Sequence, residues 1–185
     1  MNLGAPALRG ALGPLFVGHG TQKLFGWFDG PGIEGMGGMM ESMELRPGRR
    51  HAVAAGIAET AGGALLTLGA LTPLATTLVS SVMVTAIRKV HASRGPWNTG
   101  GGWEYNATII AAMTALADQG PGRPSVDARL VPRLRGAGWA ALSLGAAVAG
   151  SFLATSPPVN EPPAPPEAET TTGRFVRDAA PVPTT

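Results

Sequence analysis

Five long apolar segments, separated by polar stretches, dominate the hydrophobic pattern of the chain. The segments are close to twenty residues long or somewhat shorter, which is the order of length that an α-helix needs to cross a bilayer core. They cover residues 5–25, 52–71, 74–90, 103–117 and 136–154. The turn between the second and third segments is short and uncharged, so we expect two antiparallel neighbours there. The pattern predicts an all-α fold, a polytopic membrane helix bundle.

The second segment has a single charged residue, Glu59, close to its middle. A carboxylate at that depth costs roughly 2.5 kcal/mol or more, so it normally faces a bundle interior or a wet cavity. Gly56 and Gly63 fall on the same helical face as Glu59, and Gly62 is adjacent; small residues of this kind let a neighbouring helix approach closely. Two interpretations stay open. Glu59 is part of a buried polar site, or it is a structural residue, protonated or paired, that holds two helices in register.

The end of the first segment offers a cation for this carboxylate. His19 and Lys23 are spaced i, i+4 and therefore share a helical face. Because long cationic side chains near helix ends extend to the membrane interface, we favour that interpretation for Lys23. The alternative is an inward Lys23 that pairs with Glu59.

Glu104 places an acidic side chain at the start of the fourth segment. The favoured interpretation is that it complements the positive end of the helix dipole. The other places it at the mouth of a site with His91 or Arg88. The candidate residues of a polar intramembrane ligand site are Glu59, Lys23, His19 and Glu104.

The remaining stretches carry weaker signals. Residues 29–50 are rich in Gly and Met and predict a short amphipathic or re-entrant piece at the membrane surface. Thioethers bind Cu(I), but the Met spacing is irregular and no Cys or His is interleaved, so we predict no metal site. In the fifth segment, Gly145 and Ala149 form a small-xxx-small pair that predicts helix packing. Residues 156–185 are rich in Pro, Glu and Thr and predict a disordered tail.

Composition agrees with a membrane protein. Charged residues make up 14% of the chain, against about 25% in soluble domains. The net charge of +2 gives nucleic-acid binding little support, and the lack of cysteine excludes disulfide, thiolate and iron–sulfur chemistry from this chain alone. We expect no cleavable signal peptide. Lysine and arginine are more frequent on the side of the membrane that carries residues 29–50 and the tail. Because cytoplasmic loops are enriched in these residues, the pattern predicts an external N-terminus and a cytoplasmic tail.

Four sequence blocks together resemble the DoxX family of small bacterial integral membrane proteins. Their order and spacing, over roughly residues 5–130, are more specific than any block alone. They are His19-Gly20-x-x-Lys23-Leu24-Phe25-Gly26; Glu59-x-x-Gly62-Gly63 with Gly69 and Thr72; Gly102-Trp103-Glu104; and Gly120-Pro121-Gly122-Arg123-Pro124-Ser125-Val126-Asp127.

The resemblance implies a four-helix bundle over residues 1–130, to which this chain adds a transmembrane helix at 131–155 and the tail at 156–185. It also implies a multi-pass protein of the bacterial plasma membrane with a role in redox metabolism. Expected partners are the lipid bilayer and soluble redox enzymes such as a superoxide dismutase or a sulfurtransferase.

Three functions follow as hypotheses. The first is a non-catalytic membrane subunit or scaffold of a redox or oxidative-stress-detoxification assembly. The second is a quinone-binding redox subunit that uses the polar site around Glu59, with quinone as the candidate cofactor. The third is a small proton-coupled transporter, although the sequence shows no internal repeat of the kind common in transporters. The isolated histidines do not suggest a haem site.

Overall fold

Every regular element of the described structure is helical. The computed structural model describes residues 3–156, and this part of the chain contains no strand, which confirms the all-α prediction. The helices are α1 (Gly4–Phe25), α2 (Gly32–Ser42), α3 (Gly48–Leu68), α4 (Thr72–Ala86), α5 (Glu104–Gln119), α6 (Asp127–Leu130) and α7 (Ala137–Ala154). The predicted disordered tail lies outside the described residues, apart from Ser156.

Each predicted apolar segment corresponds to one of the five long helices, with shifted ends. The largest shift is in α3, which begins at Gly48 and ends at Leu68 rather than spanning 52–71. It stops there because Gly69 adopts a left-handed conformation with φ of 60°. The N–H of Ala70 then bonds back to the carbonyl of Leu65, as in a Schellman motif.

Helices α1, α3, α4 and α5 form the bundle that the DoxX resemblance implies. α1 packs on α3, α3 on α4 and α4 on α5, and a smaller contact between α5 and α1 closes the ring. Their inward side chains share one apolar core, which includes Phe16, Leu66, Val79 and Met113. The core therefore lies inside these four helices, and α7 packs outside it against α4 and α5.

α7 docks through a face that sequence reasoning did not select. Ala147 and Ser151 are buried in the contact with α4, as are Ala140 and Ser143. The predicted packing pair was wrong within this chain, because Gly145 and Ala149 are exposed and a Cβ on Gly145 would meet nothing within 4 Å. Helical spacing identified a small-residue face but could not say which face meets α4.

The Gly- and Met-rich stretch forms α2, which packs across the first turns of α3. Met36 and Met40 are buried there in a small apolar cluster with Leu45 and Ala52. The opposite face of α2, including Met39, is exposed. The predicted short amphipathic piece is thus a regular helix whose apolar face is covered by α3.

Among the described helices, α3 and α7 are long and apolar enough to cross a membrane by the criteria of length and composition. α4 and α5 have 15 and 16 residues, and α4 runs directly into a π-helical turn at Ile87–His91. Two such helices do not establish a polytopic topology by themselves.

Candidate functional site

A cleft of about 710 Å³ lies between α2, α3, α4 and α7. α3 and α7 both pack on α4, so α4 forms the floor of the space between them. α2 covers the end nearest the start of α3, where Met36, Met40 and Met43 line the wall. We call this space the central cleft. Most of its lining surface is apolar, and its charged side chains lie at two polar places.

The first polar place is an ion pair between α1 and α3. Lys23 Nζ lies 2.5 Å from Glu59 Oε2, and both residues line the central cleft. Glu59 is 3% exposed. The ammonium group also lies 3.4 Å from the backbone carbonyl of His19. The expectation that Lys23 extends to the interface was therefore wrong, since the side chain turns inward to its alternative partner.

Close packing of α1 on α3 brings the two charges together. A Cβ on Gly63 would lie 2.6 Å from the carbonyl oxygen of Gly13, and one on Gly56 would lie 2.6 Å from Leu24 Cγ. Gly62 faces the other neighbour of α3, where a Cβ would lie 3.1 Å from a methyl carbon of Val79. The three glycines that the sequence marked therefore bring α3 close to α1 on one side and to α4 on the other.

The second polar place is the exposed end of the cleft. Lys89 and Arg94, from the π-helical turn and the 3-10 turn that follows it, line this end. Neither side chain forms a hydrogen bond or an ion pair with another residue of the described range. Ser151 lies deeper and accepts a hydrogen bond from Arg88 at 2.8 Å. The Arg88 guanidinium stacks on the Phe152 ring at 3.5 Å and fixes the end of α7.

Two predicted site residues lie elsewhere. The His19 side chain is exposed and its Nδ1 pairs with Gln22 Oε1 at 3.2 Å, so only its backbone carbonyl reaches Lys23. Glu104 is not among the residues that line the cleft. Its Oε1 accepts a hydrogen bond from the backbone N–H of Asn98 at 2.8 Å. The structure therefore unites Glu59 with Lys23 and separates both from Glu104.

The polar partners proposed for Glu104 are also engaged elsewhere. His91 Nδ1 lies 2.6 Å from the carbonyl of Gly101, and Arg88 bonds to α7. Glu104 stands in the first turn of α5, where its charge complements the helix dipole. Within residues 3–156 no group of three or more His, Asp or Glu side chains is placed to hold a metal ion.

Sequence reasoning missed a buried arginine at the opposite end of the bundle. Arg9 is 5% exposed and its guanidinium donates to four backbone carbonyls. Two belong to the end of α3, Leu66 at 2.9 Å and Thr67 at 3.0 Å. Two belong to the segment after α5, Pro121 at 2.6 Å and Pro124 at 3.0 Å. Arg9 therefore satisfies the open carbonyls of a helix end and ties it to a loop.

Asp127 completes the same junction. Its Oδ1 accepts from the N–H of Leu71, and its Oδ2 accepts from both the N–H and the hydroxyl of Thr72, all within 2.8 Å. It thus caps the start of α4 from a distant part of the chain. The sequence held a signal for this contact, because Gly69, Thr72 and Asp127 all occur in the blocks noted above.

Part of the chain, which contains the Lys23–Glu59 pair, matches a known protein family. The DoxX family model matches residues 4–92, which cover α1 to α4 and the π-helical turn. Comparisons with curated proteins and with solved structures found no match. The matched segment holds both members of the Lys23–Glu59 pair and the three packing glycines, whereas the blocks around Gly102 and Gly120 lie beyond it. The resemblance is thus confirmed for residues 4–92, which match DoxX, a family of membrane-associated proteins.

Proposed function

We propose that this protein is a multi-pass plasma-membrane subunit of a redox assembly and that it binds a quinone in the central cleft. One observation carries the proposal: a largely apolar cleft of about 710 Å³ has a buried ion pair in its wall. A purely scaffolding subunit, the first hypothesis from sequence, has no need of such a cleft. Soluble redox enzymes remain the proposed partners that supply electrons.

Outward-facing side chains support the membrane part of the proposal. Ile57 on α3 is 55% exposed and Leu68 is 58% exposed, while Leu142 and Leu153 on α7 are 60% and 74% exposed. Large apolar side chains exposed along two helices are costly in water and favourable in lipid. Because α1, α4 and α5 pack with these two helices, all five would share the bilayer.

The chemistry of the ion pair fits a carbonyl ligand. An ammonium group has three N–H donors. One of those of Lys23 points to Glu59 and another lies within reach of the His19 carbonyl, which leaves a third for a quinone oxygen. Glu59 neutralises the charge that an unpaired Lys23 would bring into the cleft. The ion pair therefore offers an N–H donor to a quinone oxygen and adds no net charge to the apolar cleft.

The apolar lining fits the remainder of such a ligand. Met36, Met40 and Met83 are flexible and polarisable, and methionine makes favourable contacts with aromatic rings. The cleft continues past Ala54 and Ala58 of α3 toward α7, where small side chains leave room for an isoprenoid tail. Most ligand pockets have a similar design, in which apolar walls surround a few placed polar groups.

The test is quinone binding by the full chain in lipid nanodiscs, with a short-chain quinone as the titrant. We expect Glu59→Gln and Lys23→Met each to weaken binding about tenfold or more, the effect of losing one good hydrogen-bonding group. Glu104→Gln is the matched control, because this carboxylate does not line the cleft, and it should bind like the wild type. Equal affinity of the wild type and Glu59→Gln would overturn the proposal.

A further inference from the structure

The segment that joins α5 to α7 carries a cluster of exposed basic side chains. We call residues 120–136 the arginine loop. Its four arginines are all exposed, and none of their side chains forms a hydrogen bond or an ion pair within residues 3–156. They are Arg123, Arg129, Arg133 and Arg135. The loop therefore presents four unpartnered guanidinium groups.

The only acid within the arginine loop cannot offset this charge locally. Asp127 is 2% exposed, and both of its carboxylate oxygens are occupied by Leu71 and Thr72. The buried Arg9 lies at the same junction and anchors the loop through Pro121 and Pro124. These contacts anchor the loop to the ends of α1, α3 and α4 and leave its surface arginines for an external anion.

Two shallow cavities give the arginines a binding geometry. A cavity of about 250 Å³ is lined by Arg123 and Arg135, and one of about 450 Å³ is lined by Arg123 and Arg129 together with Ser125. Arg123 therefore lies between the two. A planar guanidinium binds phosphate oxygens in a bidentate manner, so two arginines beside one cavity suit a phosphate group.

Apolar side chains beside the arginines favour the phosphate of a lipid as the ligand. Leu130 is 74% exposed, Val131 40% and Val126 37%. The backbone N–H groups of Val126 and Asp127 bond to the carbonyls of Leu68 and Gly69, so the arginine loop lies at the helix ends. A surface that combines arginine with exposed apolar groups at that level matches the headgroup region of a bilayer.

We propose that the arginine loop is a binding site for the phosphate of an anionic phospholipid, with Arg123 and Arg129 as its principal ligands. This inference rests on the insertion of the bundle in a membrane but not on quinone binding. The lipid phosphate occupies the larger cavity, and Leu130 and Val131 contact the adjoining acyl region.

The experiment is native mass spectrometry of the full chain in detergent, titrated with phosphatidylglycerol or with phosphatidylcholine. We expect phosphatidylglycerol to bind more tightly, and the Arg123→Gln/Arg129→Gln variant to lose about 10- to 30-fold in that affinity. The matched control is Arg46→Gln/Arg50→Gln, which removes two exposed arginines at the other end of the bundle. The control should keep most of the preference.

Several results would overturn the assignment. They are equal binding of both lipids, an equal loss in the control variant, or displacement of phosphatidylglycerol by inorganic phosphate at similar affinity. Displacement by an acidic peptide at similar affinity would overturn it as well, and would indicate a protein partner. Should the double variant not fold, Arg129→Gln alone removes a side chain without intramolecular hydrogen bonds and tests the same cavity. Quinone binding measured on the same variants separates this site from the central cleft.

Discussion

The carboxylate of Asp127 caps the first turn of α4 at Thr72, 55 positions earlier in the chain. An aspartate normally caps the helix that it begins, but here it closes the turn between two other helices. The contact joins the end of α3, the start of α4 and the arginine loop in one buried junction with Arg9. This junction holds the end of the bundle opposite the cleft opening.

Removal of the Asp127 carboxylate should destabilise the bundle. Asp127→Ala leaves the N–H groups of Leu71 and Thr72 without their acceptor, and we expect a loss of about 2 kcal/mol or more. Asp127→Asn keeps one oxygen and should lose less. Thermal unfolding in detergent measures both. Asp118→Asn, an exposed carboxylate in the same region, is the control, and an equal shift in its midpoint would contradict the capping role.

Lys23 and Glu59 should be coupled in stability. Lys23→Met leaves a buried carboxylate without its partner, which costs about 3–5 kcal/mol in comparable buried pairs. The double variant Lys23→Met/Glu59→Gln should recover much of that loss, since it removes the charge as well. Unfolding measurements on the single and double variants give the coupling energy directly.

The exposed pair between Arg49 and Glu34 is the control for this cycle. Its atoms are 3.9 Å apart and its side chains are 72% and 92% exposed. Arg49→Met should change the unfolding midpoint little, because surface pairs contribute little. If Lys23→Met changed the unfolding midpoint as little as Arg49→Met, the buried pair would not stabilise the fold.

The long helices could be predicted from the sequence because each corresponds to a continuous apolar segment. Glu59 could be predicted as a candidate because it is the single charged residue of such a segment. The partner of Glu59 was harder to identify. A lysine two residues before the end of α1 can extend outward or inward, and the outcome depends on how closely α1 approaches α3. Gly13 and Gly63 set that distance, and helical spacing alone does not pair them.

Arg9 illustrates what a sequence does not show at all. Its four acceptors are backbone carbonyls, and they lie 57, 58, 112 and 115 positions away. A carbonyl group belongs to every residue and therefore gives no residue-type signal. Asp127 was different, since it ended a recognisable block, but only the fold connects that block to Thr72.

A small side chain at Gly63 should separate α1 from α3. The Cβ of Gly63→Ala would meet backbone atoms of Gly13 and Val17, which cannot rotate away. We expect a destabilisation of about 1–3 kcal/mol from overpacking. Gly145→Ala should be neutral or stabilising by up to about 1 kcal/mol, because the site is open and alanine favours helix. Equal effects of the two changes on unfolding would contradict the packing of α1 on α3.

The proposed topology places the arginine loop and the turns beyond α4 on opposite sides of the membrane. The chain has no cysteine, so single substitutions give a clean labelling background. Thr99→Cys and Arg133→Cys replace exposed residues at the two ends of the bundle. With an external N-terminus, a membrane-impermeant maleimide should label Arg133→Cys in intact cells and Thr99→Cys only after permeabilisation. The reverse result would contradict the orientation alone, whereas labelling of both from one side would contradict the multi-pass bundle.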